Sequence, residues 1–218
     1  ETGYFKLDGG AMFGVVPKSI WNKTNPADDK NLCTWGNRLL LIEEGKRLTL
    51  VDTSIGDKQD DNFFKHYYLH GDATLDLSLA KHGFHRDDIT DIILTHLHFD
   101  HCGGAIARLK EQLRPAFKHA TYWSNEQHWA WAVAPNAREK ASFLRENILP
   151  IQESGQLKFL SEQERYSDNI TIRYAHGHTE AMMLPQIQYK DKTILYMADL
   201  LPSVGHIPIP YVMSYDIR

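Results

Sequence analysis

The most constraining feature of this chain is a six-residue string, His96-Leu97-His98-Phe99-Asp100-His101, set directly behind the apolar, β-branched run Ile89–Thr95. Composition alone would produce an H-x-H-x-D-H string in a chain of this length only about 0.003 times, although the histidines number 12. In an extended segment, side chains two residues apart point the same way. His96 and His98 therefore face a common point, while Leu97 returns to the core. Asp100 and His101 follow where the chain turns, so they can face a second point beside the first. Imidazole and carboxylate donors without thiolate suit Zn²⁺, and also Mn²⁺ or Fe. The fold must deliver these side chains, from the end of a strand, to a place an ion can reach.

The 218 residues are 42% hydrophobic, enough for one large domain spanning 1–218 with a sizeable core. A charged fraction of 24% with 11% aromatics excludes a disordered chain. No apolar run approaches the roughly 18 residues of a membrane span, so a membrane partner is not expected. With 24 basic and 28 acidic side chains the net charge is −4, and no basic stripe points to nucleic acid. Cys33 and Cys102 cannot build a disulfide framework and fit a reducing, cytoplasmic compartment. The opening Glu1-Thr2-Gly3-Tyr4 carries no export-signal pattern and no Met, as a processed or trimmed N-terminus would.

Apolar patterning predicts a hairpin from Arg38–Glu43 and Arg47–Val51, and helical structure over 59–83 broken near Gly71. A helix is expected from Gly103 to about Gln112, and a strand at Ala120–Trp123. Another helix should start at the capping box Ser124-Asn125-Glu126-Gln127, and a further one should span Asn136–Ile148. Ile170, Ile172 and Tyr174 alternate on a strand, and Leu184–Tyr189 pairs with Thr193–Ala198 in a last hairpin. Hairpins with helices grouped between them suggest packed sheets covered by helices rather than a doubly wound sheet.

Two further groups lie at strand ends: His178 in Gly177-His178-Thr179, and Asp199 in Met197-Ala198-Asp199. Alone, a single His or a strand-end Asp more often caps or hydrogen-bonds. Together with the first string they resemble the metallo-β-lactamase-fold hydrolases, whose pattern is H-x-H-x-D-H, then a G-H-T histidine, then a strand-end Asp. Val51-Asp52-Thr53-Ser54-Ile55-Gly56 resembles that family's D-T-G-x-G turn, with Ser54 in the usual Gly position. Asp8-Gly9-Gly10-Ala11-Met12-Phe13-Gly14-Val15-Val16-Pro17 is similar to the opening of the branch that holds acyl-homoserine-lactone lactonases and methyl-parathion-type hydrolases. The resemblance implies an α+β, four-layer αββα sandwich with metals at one edge of its two sheets. It assigns His96, His98 and His178 to one ion and Asp100 and His101 to another, with Asp199 bridging two Zn²⁺. It also implies a hydroxide between the ions that attacks an ester-type bond of a small-molecule substrate, most simply a lactone or carboxylic ester. Asp100 would be the catalytic group that orients this hydroxide and relays its proton. A phosphoesterase on the same centre is the nearest rival. The diiron oxidoreductases of this fold carry H-x-E-x-D, with Glu where this chain has His98. A non-catalytic metal-binding protein follows if the second site is incomplete.

The departures from the pattern are specific. After G-H-T the family often continues P-G-H, whereas this chain has Glu180-Ala181-Met182, so the substrate pocket should differ there. The family's seventh ligand is a His well after the bridging Asp. Here only His206 follows Asp199, seven residues on, which is too close. The chain is therefore expected to stop short of that ligand and of the last strand and helix, leaving apolar surface exposed. Pro202, Pro208 and Pro210 should hold an extended loop beside the metal edge, with His206 near it.

Other candidates have plainer roles. Cys102 should pack beside Gly103. His66 and His70, four apart on an expected helix, lack a carboxylate partner and should lie on a solvated face. His82 and His85 flank Gly83 at a helix end. His176 competes with His178 for the ligand role, and the G-H-T context favours His178. Trp123, Trp129 and Trp131 should pack in the core or on the surface rather than line an acyl pocket. Asp52 should hold a ligand histidine in orientation.

Overall fold

In the computed structural model, which describes residues 1–217, the chain opens with β1 (Tyr4–Asp8), two short helices, α1 (Gly9–Phe13) and α2 (Lys18–Trp21), and β2 (Leu32–Gly36). β1 and β2 pair antiparallel and carry a small core of their own around Phe5, Phe13, Trp21, Trp35 and Met213. The predicted hairpin is β3 (Leu40–Glu44) and β4 (Arg47–Val51), turning at Gly45, whose φ of +62° is one a glycine adopts freely. The 59–83 region resolves into α3 (Asp61–Phe64) and α4 (Leu75–Ala80), separated at Gly71 with φ +90°. Then come β5 (Asp91–Ile93) and α5 (Phe99–Cys102).

After α5 the expected helix does not form. In place of a helix to Gln112 the chain forms a hairpin, β6 (Ile106–Leu109) with β7 (Gln112–Pro115). Gly103 and Gly104 lie in a single 3₁₀ turn and serve close backbone approach instead of starting an α-helix. A Cβ on either would lie 2.1 Å from a carbonyl oxygen, that of Ile55 or that of Thr53.

β8 (Thr121–Ser124) leads into α6 (Glu126–Val133), whose N-cap is Asn125, one residue later than the capping box placed it. The Asn125 side chain accepts the His128 N–H at 2.7 Å. The expected Asn136–Ile148 helix is a turn to Ser142 followed by α7 (Arg145–Glu153). Asn136 Oδ1 accepts the N–H groups of Arg138 and Glu139, and the Ser142 N–H closes back on Glu139 O, so the segment coils tightly rather than propagating. β9 (Leu157–Phe159), β10 (Ile170–Ala175), β11 (Met182–Tyr189) and β12 (Lys192–Leu195) complete the strands.

The order β3-β4-β5-β8-β9 forms a five-stranded sheet, parallel from β4 to β9, and β10-β11-β12 forms an antiparallel one. Period-2 alternation splits neighbours between two cores. Ile92 joins Leu50 and Tyr122 against Leu79, Trp129, Ile148 and Ile151 on the helical side. Ile93 points the other way, into the layer between the sheets with Ile170, Ile172, Met183 and Ile187. The layers are thus helices, sheet, sheet. β12 is an exposed edge of the second sheet, with Ile194 at 43% and Leu195 at 39%, while Met182 and Leu184 on the outer side of β11 are buried. Among the described residues no helix is long and apolar enough to cross a membrane.

Candidate metal centre

Strand ends assemble the site. β5 runs into Thr95 and His96; β4 runs into Asp52, whose N–H extends the parallel ladder to Ile93 O. Leu97 is fully buried in the helical core, and its N–H donates to His128 Nε2 at 2.8 Å. That anchor leaves His96 and His98 on one side, as the spacing requires. α5 supplies Asp100 and His101, the turn after β10 supplies His178, and a 3₁₀ turn after β12 supplies Asp199. The turn after β4 docks under α5 through Thr53 N–H to His101 O and Gly104 N–H to Ser54 O. Ser54 holds φ +67°, the left-handed conformation that explains why glycine is usual there.

Ligating atoms of His96, His98 and His178 lie within 4.8 Å of one another, and so do those of His96, His101 and Asp199. Asp199 faces both groups, with Oδ2 3.4 Å from His178 Nε2 and Oδ1 3.2 Å from His101 Nε2. Asp100 flanks the second group, Oδ2 lying 3.8 Å from His101 Nε2. His206 is elsewhere. It is buried against Phe13 at 4.4 Å between ring centroids, with Nε2 on Met12 O, because the proline-rich tail packs on the N-terminal core.

The donor set fits a cation. His98 Nδ1 and His178 Nε2 are 3.0 Å apart. The opposite nitrogen of each ring faces a carboxylate: Glu139 Oε1 lies 3.5 Å from His98 Nε2, and Asp216 Oδ1 lies 3.0 Å from His178 Nδ1. Protons on those outer nitrogens leave two lone pairs pointing at one another, an arrangement a shared cation relieves. His96 Nε2 is buried with no hydrogen-bond partner, while its Nδ1 contacts Thr95 Oγ1. His101 Nδ1 is held by Asp52 Oδ2 at 2.9 Å. Carboxylates that orient ligand imidazoles in this way are the usual support of metal sites.

Burial, with the neighbouring imidazoles, drives His96 far below the usual histidine range and His98 down to about 3. Burial also acts against a charged His101, yet Asp199, Asp100 and Asp52 together outweigh it and raise that ring. Asp100 is raised by burial and by Asp199. Asp199 moves down, because His101 and His178 overcome its desolvation. Glu139 is likewise lowered, to about 2: burial is outweighed by the neighbouring His98 ring and Thr179 hydroxyl and by hydrogen bonds from Trp131 and Asn136.

The rival residues lie away from the centre. His176 is surface-facing and pairs with Glu180 at 2.9 Å. Cys102 is buried, its thiol on Leu97 O and pushed up to about 12 by desolvation, which makes it a packing group. His66 and His70 are exposed and lie beyond α3, so they share no helix face; His70 stacks on Tyr4. His82 is exposed in the turn after α4, and His85 caps the next 3₁₀ turn by accepting the Asp87 N–H. Trp123 and Trp131 bond Asp91 and Glu139, and Trp129 packs in the core. Sequence reasoning missed His128, Glu139 and Asp216, none of which belongs to a local string. A cavity of about 640 Å³ opens over the centre, its wall running from His98, Asp100, His101 and Asp199 to apolar groups such as Trp35 and Phe99.

Fold and site together define a class. The chain matches the Metallo-beta-lactamase superfamily over residues 39–216 and belongs to it; it is a hydrolase of that superfamily. It is similar to a probable metal-dependent hydrolase from Staphylococcus aureus, 26% identical, with TM-score 0.91 over 99% of this chain and 76% of that one. AidC, a dizinc quorum-quenching lactonase solved with N-hexnoyl-L-homoserine as product, is 25% identical, with TM-score 0.76 over 98% of this chain and 75% of its own. An N-acyl homoserine lactone hydrolase, 20% identical with TM-score 0.64 over 89% and 71% of the two chains, shares the fold. No curated protein matches the sequence.

Proposed function

We propose that this chain is a binuclear metal-dependent hydrolase that cleaves an ester-type bond, with lactones or simple carboxylic esters as its substrate class. The observation that carries this reading is the position of Asp199, whose two oxygens face His178 at 3.4 Å and His101 at 3.2 Å. A carboxylate so placed can serve two ions at once. His96, His98 and His178 would hold one; Asp100 and His101 would hold the other. Bound there, divalent ions such as Zn²⁺ lower the pKa of water towards about 7 and polarise a substrate oxygen. The remaining work falls to side chains. Asp100, on the cavity wall, orients the attacking water, accepts its proton at a carboxylate oxygen and passes it to the leaving alkoxide. The apolar wall around Trp35 and Phe99 excludes bulk water and receives the hydrocarbon part of a substrate. No serine or cysteine nucleophile is needed. The kinship with AidC supports a lactone as the first substrate to try.

The test pairs metal analysis with a substrate panel. Protein purified without added metal should carry close to two equivalents and open lactone rings faster than it cleaves phosphotriesters. Asp100→Asn, which keeps an amide oxygen as a donor, should hold the second ion more weakly and, at saturating metal, lose roughly 100-fold or more in kcat. Phosphotriester turnover above lactone turnover would favour a phosphoesterase. A single equivalent with no turnover of either substrate would overturn the binuclear, ester-cleaving reading.

A further inference from the structure

We infer that Asp216 is a positioning residue: by accepting the Nδ1–H of His178 it fixes the ring that completes the three-histidine group. This rests on the reading of that group as a metal site. The segment 213–217 forms a strap, whose Met213, Ser214 and Tyr215 line the cavity wall. Its Ile217 N–H donates to Gly177 O at 2.7 Å, next to His178, and its Ser214 N–H donates to Ala11 O at 2.8 Å. The Met213 N–H donates to Asp216 Oδ2 at 2.9 Å, which leaves Oδ1 for His178 at 3.0 Å. Arg138 clamps the strap from the other side by donating to the carbonyls of Ser214 and Asp216. Met213 anchors it by burial among Phe5, Phe13 and Trp35.

The consequence is one of tautomer and angle. His178 stands on a short turn after Gly177, whose φ is +142°, and its ring packs edge-on against His96 and His98. An acceptor at Nδ1 places the proton there and leaves the Nε2 lone pair aimed at His98 Nδ1 and Asp199. Without the acceptor the ring can carry its proton on Nε2, where it blocks ligation. Arg138 and Glu139 are adjacent in sequence, and Glu139 faces His98 Nε2 at 3.5 Å. One short coil therefore supports two of the three rings, one directly and one through the strap.

The experiment measures Co²⁺ affinity by chelator competition, the visible spectrum of the Co²⁺ protein, and the His178 tautomer by ¹⁵N NMR. It compares native protein with Asp216→Ala, Asp216→Asn, Met213→Ala and His178→Ala. Asp216→Ala should bind Co²⁺ 10- to 100-fold more weakly, with an altered spectrum and a mixed His178 tautomer. Asp216→Asn, which keeps the shape and one acceptor, should fall between it and native protein. Met213→Ala, which loosens the strap but leaves the carboxylate, should keep the native tautomer and affinity within about threefold. Native affinity and tautomer in Asp216→Ala and Asp216→Asn, with binding lost in His178→Ala, would overturn the role of Asp216. An equal loss in Met213→Ala with the native His178 tautomer would overturn it too, by showing that the strap matters apart from the carboxylate's bond to the ring. Native affinity in His178→Ala would instead overturn the reading of the centre.

Discussion

Replacing Asp52 by Asn should separate stability from metal binding. Asp52 is buried and serves three donors: Oδ1 takes the Thr95 N–H at 2.8 Å, both oxygens lie 2.9 Å from Thr95 Oγ1, and Oδ2 meets His101 Nδ1 at 2.9 Å. In Asp52→Asn the amide oxygen can keep both Thr95 bonds, while the NH₂ group faces His101. His101 must then accept at Nδ1 and carry its proton on Nε2, pointing at Asp199 Oδ1 3.2 Å away. That bond suits a metal-free protein and opposes an ion. The fold should therefore lose only about 1–2 kcal/mol, while the ion served by His101 should bind 10- to 100-fold more weakly. Asp52→Ala behaves differently. It strands the buried Thr95 N–H and hydroxyl as well, and should cost about 3–5 kcal/mol. Urea unfolding of both variants, with stepwise titration of two equivalents of Co²⁺ or Zn²⁺, gives both quantities. The reasoning is refuted if Asp52→Asn retains its second equivalent at native affinity, or if it destabilises as much as Asp52→Ala.

Three further outcomes are expected. His128 is buried neutral, held down to about 4 chiefly by desolvation, against an unfolded value of about 6.5. The unfolded chain thus binds more protons between those values, so this contribution is complete above pH 6.5 and falls away as the pH drops towards 4. Between pH 7 and pH 5 about 2 kcal/mol should be lost through this group; urea midpoints of His128→Asn should show a flatter acid limb, and an unchanged limb would count against the assignment. His206→Ala removes a ring stacked on Phe13 and hydrogen-bonded to Met12 O, and should cost about 2–4 kcal/mol with metal stoichiometry unchanged. Lost metal at native stability would reverse that conclusion. Gly104→Ala would bring a Cβ to 2.1 Å from Thr53 O, so the turn under α5 must shift. A destabilisation of about 1–3 kcal/mol in chemical unfolding is expected, and a neutral result would mean that the approach relaxes freely.

What the sequence disclosed follows from how far apart the cooperating residues lie. His96, His98, Asp100 and His101 share six residues: strand periodicity puts His96 and His98 on one side, and the turn that follows, helical in the fold, brings Asp100 and His101 beside them. His178 and Asp199 each needed a strand end to place them, and the alternation of Ile170, Ile172 and Tyr174 supplied one of those ends. The outer carboxylates had no such signal. Glu139 lies in a segment whose composition reads as helix, and only the Asn136 side chain, by taking its backbone donors, turns it towards His98. Asp216 is 38 residues from the ring it touches, on a segment with no periodicity of its own. The hairpin at 106–115 was hidden for a related reason. Gly103 and Gly104 read as a helix start until Ile55 and Thr53, some 50 residues earlier, press on their backbone. Local strings thus reveal the groups that would touch the metal, whereas the groups that hold those rings in place come from contacts that only the finished fold creates. The two sets should therefore fail differently under mutation. Loss of a ligand should remove an ion outright, whereas loss of a supporting carboxylate should leave a folded protein that binds the same ion more weakly.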